Sequence, residues 1–74
     1  MDTQYFSLQV AAANGVLPRV VGLCQRRGCE VVALTYANGD RHRPGRMELA
    51  VRGDARRLRL LSMRLAALVD VEMA

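Results

Sequence analysis

The stretch NGVLPRVVGLCQRRG, residues 14–28, decides how this chain folds. It opens on Asn14-Gly15, a turn signal, after which Val16, Leu17, Val20, Val21, Leu23 and Cys24 recur at helical spacing. Arg19, Gln25, Arg26 and Arg27 fall on the polar side. Pro18 limits where the helix can begin. With Asn14 or Gly15 as the cap, the proline lies in the first turn, where its missing N–H costs little; deeper inside, it would break the helix. Gly28 offers a left-handed stop, and Arg26 and Arg27 lie where a helix C-terminus favours cations. The spacing predicts a short helix with both ends marked.

The flanking segments read as strands. In YFSLQVAAA, residues 5–13, Phe6, Leu8, Val10 and Ala12 fall on one face and Tyr5, Ser7, Gln9 and Ala11 on the other. EVVALTYA, residues 30–37, is rich in β-branched residues. NGDRHRPG, residues 38–45, is a polar loop, and RMELAVR, residues 46–52, turns Met47, Leu49 and Val51 inward. Gly53-Asp54 then caps a second helix with Ala55, Leu58, Leu61, Leu65 and Leu68 as its apolar stripe, widened by Leu60 and Met63. VDVEM, residues 69–73, alternates again.

The order β-α-β-β-α-β is that of the α+β, ferredoxin-like split βαβ fold. Right-handed crossovers put the first and third strands at the centre of a four-stranded antiparallel sheet with both helices on one face. The second and fourth strands become edges. The other face is left bare, and Tyr5, Ala11, Val31, Ala33 and Ala50 are expected on or near it. A bare face beside open edges suits a homodimer formed through the sheet, side by side or face to face.

Length and charge narrow the function. The 74 residues form one domain, 1–74, small enough to gain from a partner. All 11 basic residues are arginine against 7 acids, giving a net charge of +4 and a pI near 10.0. Nucleic acid is still not the expected partner. Tyr5, Phe6 and Tyr36 are the only aromatics, and no RNP-like motif, GXXG clamp or basic stripe with stacking residues is present. No basic leader or membrane-length apolar run appears, so a soluble, cytoplasmic chain without a membrane partner is expected.

Catalytic chemistry has few candidates. His42 lies in the polar loop with nothing apolar to tune it. Asp70 and Glu72 share the outward face of the last strand, which suits solvent or a partner's cations better than acid–base work. Cys24 and Cys29 have no second Cys or His pair to complete a zinc-type spacing, and they read as free thiols of a reducing compartment. The turn from the first strand into the first helix remains. Asn14, Gly15, Val16 and Leu17 place free backbone N–H groups at a helix N-terminus that can hold a carboxylate.

On these residues the chain resembles a known family. NGVLPRVVGLCQRRGCEVVALT, residues 14–35, is similar to the opening of an ACT domain, specifically that of the small regulatory subunits of acetolactate synthase. Their pattern G-x-L-x-R-V-x-G-L-x-x-x-R-G is met by Gly15, Leu17, Arg19, Val20, Gly22, Leu23, Arg27 and Gly28, and LVDV, residues 68–71, resembles the family's last strand. The resemblance implies a single ACT domain that is not itself an enzyme. It implies an activating partner of the large catalytic subunit, which uses thiamine diphosphate, magnesium and FAD to join pyruvate to pyruvate or 2-oxobutyrate on the route to the branched-chain amino acids. No cofactor is implied for this chain itself.

It also implies an effector, a branched-chain amino acid such as valine, held between two domains near Asn14, Gly15, Val16 and Leu17. Effector-binding members carry an asparagine three residues before the glycine and another two residues after the R-G. Here Ala12 and Glu30 stand in those places, removing two side-chain amides and setting a negative group where a carboxylate would come. The short, isozyme II type members are the best match, so weak or absent valine sensitivity is expected. Two other readings remain at this point: a free-standing ACT amino-acid sensor serving another enzyme or a transcription factor, and a small RNA-binding module with strongly salt-dependent binding.

Overall fold

A computed structural model of the chain describes residues 1–11, 15–68 and 71–73. Six elements follow in order: β1 Asp2–Val10, α1 Val16–Arg26, β2 Glu30–Ala37, β3 Gly45–Gly53, α2 Ala55–Ala66 and β4 Val71–Met73. The strands form one four-stranded sheet in the order β2-β3-β1-β4, and every neighbouring pair is antiparallel. This is the βαββαβ arrangement that the sequence predicts, with β1 and β3 central.

Alternation fixes which face is covered. Phe6, Leu8 and Val10 of β1 lie beside Leu49, Met47 and Gly45 of β3, and all are buried under the helices. From α1 come Val16, Val20 and Cys24 at fourfold spacing, and from α2 Leu58, Leu61 and Leu65. Together with Val51, Cys29 and Val71 these make a single core, with Leu17, Leu23, Leu34, Tyr36 and Leu68 packed around it. Burying each large aliphatic side chain contributes about 1.5–3 kcal/mol. Leu60 and Met63, expected to widen the apolar stripe of α2, are instead 42% and 65% exposed, because the sheet covers only the side carrying Leu58, Leu61 and Leu65.

Several boundaries differ from the sequence reading: β3 runs one residue further at each end, Gly45–Gly53, and α2 ends at Ala66, leaving Leu68 beyond the helix. β1 starts at Asp2, since its backbone pairs with β3 along the whole register from Asp2↔Gly53 to Val10↔Gly45, whatever the polarity of Asp2, Thr3 and Gln4. It ends at Val10, so Ala11 follows the strand, while Ala12 and Ala13 lie outside the described residues. β4 covers Val71–Met73, and positions 69 and 70 lie outside them too. Among the described residues β4 pairs with Leu8, Gln9 and Val10 alone, so there the sheet is four strands wide at one end of β1 and three at the other.

One side chain changes face. Strict alternation puts Val31 with Ala33 on the bare side, but a register shift between them leaves Val31 opposite Val51, packed against the core. Val32 is the extra residue of this bulge and stands 47% exposed.

The ends of α1 follow the sequence signals. Gly15 takes the N-cap position at φ 86°, and Arg19 N–H donates to the Gly15 carbonyl at 3.2 Å, so Pro18 falls in the first turn. At the other end Gly28 has φ 73°, its N–H donates to the Gln25 carbonyl and Cys29 N–H donates to the Cys24 carbonyl, both at 3.0 Å. These two bonds form a Schellman motif, and the apolar contact such motifs carry falls to the buried pair Cys24 and Cys29. α2 is capped by Asp54, whose Oδ1 accepts the Arg57 N–H at 2.8 Å.

Candidate functional site

The entrance to α1 is built from backbone. Gly15 is exposed, and among the described residues a Cβ added there would meet nothing within 4 Å, so glycine is favoured there by the positive φ and not by crowding. Val16 is 1% exposed and Leu17 packs partly on the core; their side chains anchor the helix start. What they offer outward is their N–H groups, which precede the first intrahelical bond at Arg19 and meet no side-chain cap among the described residues. Two such N–H groups at the positive end of a helix can hold a carboxylate. Asn14 lies outside the described residues, as do Ala12 and Asp70.

Glu30 is not part of that entrance. It begins β2, in the row Glu30↔Arg52↔Thr3, whereas Gly15 follows Val10 at the opposite end of the sheet. The 11 residues of α1 separate the two by about 16 Å. Glu30 is exposed, and its Oε1 accepts from Arg52 Nη2 at 2.8 Å. One chain therefore does not bring together the two places the sequence comparison grouped.

The sheet face turned away from the helices carries a shallow groove of about 370 Å³ along the rows Tyr5↔Ala50↔Ala33 and Ser7↔Glu48↔Thr35. Small side chains at Ala33, Ala50 and Ser7 make it concave, beside Tyr5, which is 78% exposed. The face mixes small apolar side chains, Ala33 and Ala50, with the polar row of Ser7, Glu48 and Thr35, and at its end Glu30 and Arg52 pair. Sequence alternation found it, except for Val31.

The two cysteines are buried and the histidine lies in a loop. Burial pushes the Cys24 thiol up to about 11, helped by the neighbouring Cys29 and opposed by a backbone hydrogen bond. Burial also raises Cys29, against the pull of Arg57 and with a push from Asp54. Both cysteines are free, and both hold their protons at neutral pH, so neither is a poised nucleophile. His42 is exposed, and its backbone N–H donates to Asp40 Oδ1 at 2.7 Å, which shapes the loop. Among the described residues no three His, Cys, Asp or Glu side chains come together as metal ligands. No described helix is long and apolar enough to cross a membrane.

A second groove was not legible in the sequence as one place. Arg26 and Arg27 at the end of α1 and Arg56 and Arg57 at the start of α2 line it together with Asp54 and Leu60. Each arginine reads as exposed polar surface by itself; only the reversal at Gly28 sets the two pairs side by side.

Residues 12–74 match the family model described as ACT domain. A probable acetolactate synthase small subunit of Methanothermobacter thermautotrophicus is 37% identical over 70 residues, 95% of this chain, and the chain spans 42% of that protein's length. Among solved structures, a formyltetrahydrofolate deformylase of Burkholderia mallei superposes with a TM-score of 0.80 at 22% identity, covering 99% of this chain and 27% of that one. An acetolactate synthase small subunit of Thermotoga maritima superposes with a TM-score of 0.67 at 22% identity, covering 99% and 47%. The two superpositions establish a shared fold.

Proposed function

Because this chain belongs to the ACT domain family, we propose that it is a non-catalytic regulatory small subunit that activates the large catalytic subunit of an acetolactate synthase in branched-chain amino acid synthesis. The observation that carries this reading is the 37% identity, across 95% of the chain, to a probable small subunit of that enzyme. The chemistry of the described surfaces supports it: helix-end N–H groups, an apolar sheet face and arginines bind other molecules but do not make or break bonds. Thiamine diphosphate, magnesium and FAD belong in this account to the large subunit. Free, protonated Cys24 and Cys29 suit the reducing cytoplasm.

Activation needs only that the chain bind the active conformation of the large subunit better than the inactive one. A homodimer through the sheet completes the small subunit. If two β2 edges pair about a twofold axis, the Glu30 end of one strand meets the Ala37 end of its partner, because such pairing is antiparallel. That arrangement would place the Glu30 region of one copy near the α1 entrance of the other, where Asn14, Gly15, Val16 and Leu17 would face a branched-chain amino acid. Glu30 is negative and already occupied by Arg52. A carboxylate effector would meet like charge there in place of an amide, which supports weak or absent valine sensitivity.

The test is acetolactate formation by the purified large subunit of the same organism, alone and with this chain, each with and without excess valine. Rate enhancement unchanged by valine is the expected result. No enhancement and no co-elution would refute the assignment and leave a free-standing amino-acid sensor in its place. Tight, saturable valine binding by calorimetry would refute the insensitivity alone.

A further inference from the structure

We propose that the arginine groove between the end of α1 and the start of α2 is the surface that docks the large subunit, through a segment of that partner carrying acidic and apolar side chains; this rests on the functional reading above. Four guanidinium groups, from Arg26, Arg27, Arg56 and Arg57, line a groove of about 430 Å³ whose only carboxylate is Asp54 among the described residues. Asp54 is committed within the chain: Oδ1 accepts the Arg57 N–H at 2.8 Å and Oδ2 lies 3.4 Å from Arg57 Nε.

Gly28 holds the cluster together. A Cβ at that position would stand 2.8 Å from Arg57 Nη1, so the Arg57 guanidinium lies directly over the glycine that ends α1. Arg56 and Arg57 occupy the first turn of α2, which contains no acidic residue. Two cations at a helix N-terminus oppose the macrodipole and repel the pair on α1, which Asp54 offsets for Arg57 but not for Arg56. Carboxylates delivered by a partner would reverse both effects at once.

The groove also has an apolar continuation, which selects a protein segment over a polynucleotide. Arg56, Leu60 and Met63 follow one another at i, i+4 and i+7 on the outer side of α2, and Leu60 and Met63 are 42% and 65% exposed. No aromatic side chain lines the groove to stack a base. Charge complementarity with an apolar neighbour is the pattern of a protein docking surface.

The experiment titrates the large subunit with the wild-type chain, with R26E/R56E and with R41E/R43E, which carries the same charge change on the β2–β3 loop. Arg26→Glu opposes the dipole of α1 while Arg56→Glu favours that of α2, so thermal melts should show R26E/R56E folded. For R26E/R56E the half-saturating concentration for activation should rise about tenfold or more at low salt, and its salt dependence should flatten, with R41E/R43E matching the wild type. Equal titration curves for all three chains, or equal losses in both variants, would overturn the groove while leaving the regulatory reading intact. RNA retention that R26E/R56E loses, with activation unaffected, would assign the groove to nucleic acid and overturn it as well. Failure of the wild-type chain itself to bind or activate would remove both.

Discussion

Replacing Gly28 with alanine should lower stability, and the same change at Gly22 should raise it. Gly28 sits at φ 73°, where the left-handed backbone costs an L-residue about 1–2 kcal/mol. The Cβ would also stand 2.8 Å from Arg57 Nη1, but that is the far end of a flexible, exposed side chain that can swing away, so the backbone term dominates. A chain of 74 residues has an unfolding entropy of about 0.16 kcal/mol/K, so Tm should fall by roughly 6–13 °C. Gly22 lies in the middle of α1, and a Cβ there meets only Arg26 Nη1 at 3.2 Å, again a movable group. Alanine at that helical position should add about 0.5–1 kcal/mol. Gly28→Asn should fall between wild type and Gly28→Ala, because asparagine tolerates the left-handed region better. Circular-dichroism melts of the three variants decide the matter. If Gly28→Ala leaves Tm within about 2 °C of wild type, or if both glycine changes shift it the same way, the left-handed termination of α1 is wrong.

Three further outcomes follow from the core, the caps and the thiols. Leu61 is fully buried between α2 and the sheet, so Leu61→Ala should cost about 2–5 kcal/mol in urea titrations, a large share of the stability of so small a domain. Asp54→Ala removes the α2 cap and should cost about 1 kcal/mol, whereas Asp54→Asn should retain most of it. Cys24 has its folded-state value raised from 9.0 to about 11, so its contribution is complete below pH 9 and is lost as pH climbs from there towards 11, where the unfolded chain ionises first. Cys24→Ala should flatten that part of the Tm-versus-pH curve, and a thiol reagent at pH 8 should label the wild-type chain only after denaturant is added.

Much of the fold was legible because this sequence marks its helix ends chemically. Gly15 and Gly28 mark the two ends of α1 and Pro18 is tolerated only in its first turn, and the structure uses all three as read. Strand faces were legible wherever polar residues interrupt apolar ones, as in Met47, Leu49 and Val51. EVVALTYA offers no such interruption at its start. Val31 and Val32 are both acceptable on either face, so the bulge that turns Val31 inward is decided by pairing with Val51, which no local signal carries. The polar start of β1 was missed for the related reason that Asp2, Thr3 and Gln4 are held by the β3 backbone and not by burial. In the candidate site, the backbone groups of Gly15, Val16 and Leu17 were legible, but the distance to Glu30 was not: closeness in a linear pattern says nothing about opposite ends of a sheet.

The unequal width of the sheet has a consequence for how this protein breathes. Leu8, Gln9 and Val10 are flanked on both sides, by β3 and β4, whereas residues 2–6 of β1 have β3 on one side and no described strand on the other. Among the described residues, a strand that is interior by topology is thus a border over half its length. Amide hydrogens of residues 2–6 should alternate between slow exchange, where they point to β3, and fast exchange, where they point away, while protection becomes continuous from Leu8 onward. The unpaired half also presents the bonding pattern another extended chain can add to. Residues 2–6 of β1, like the edge that β2 forms, are therefore places where a second extended chain can add.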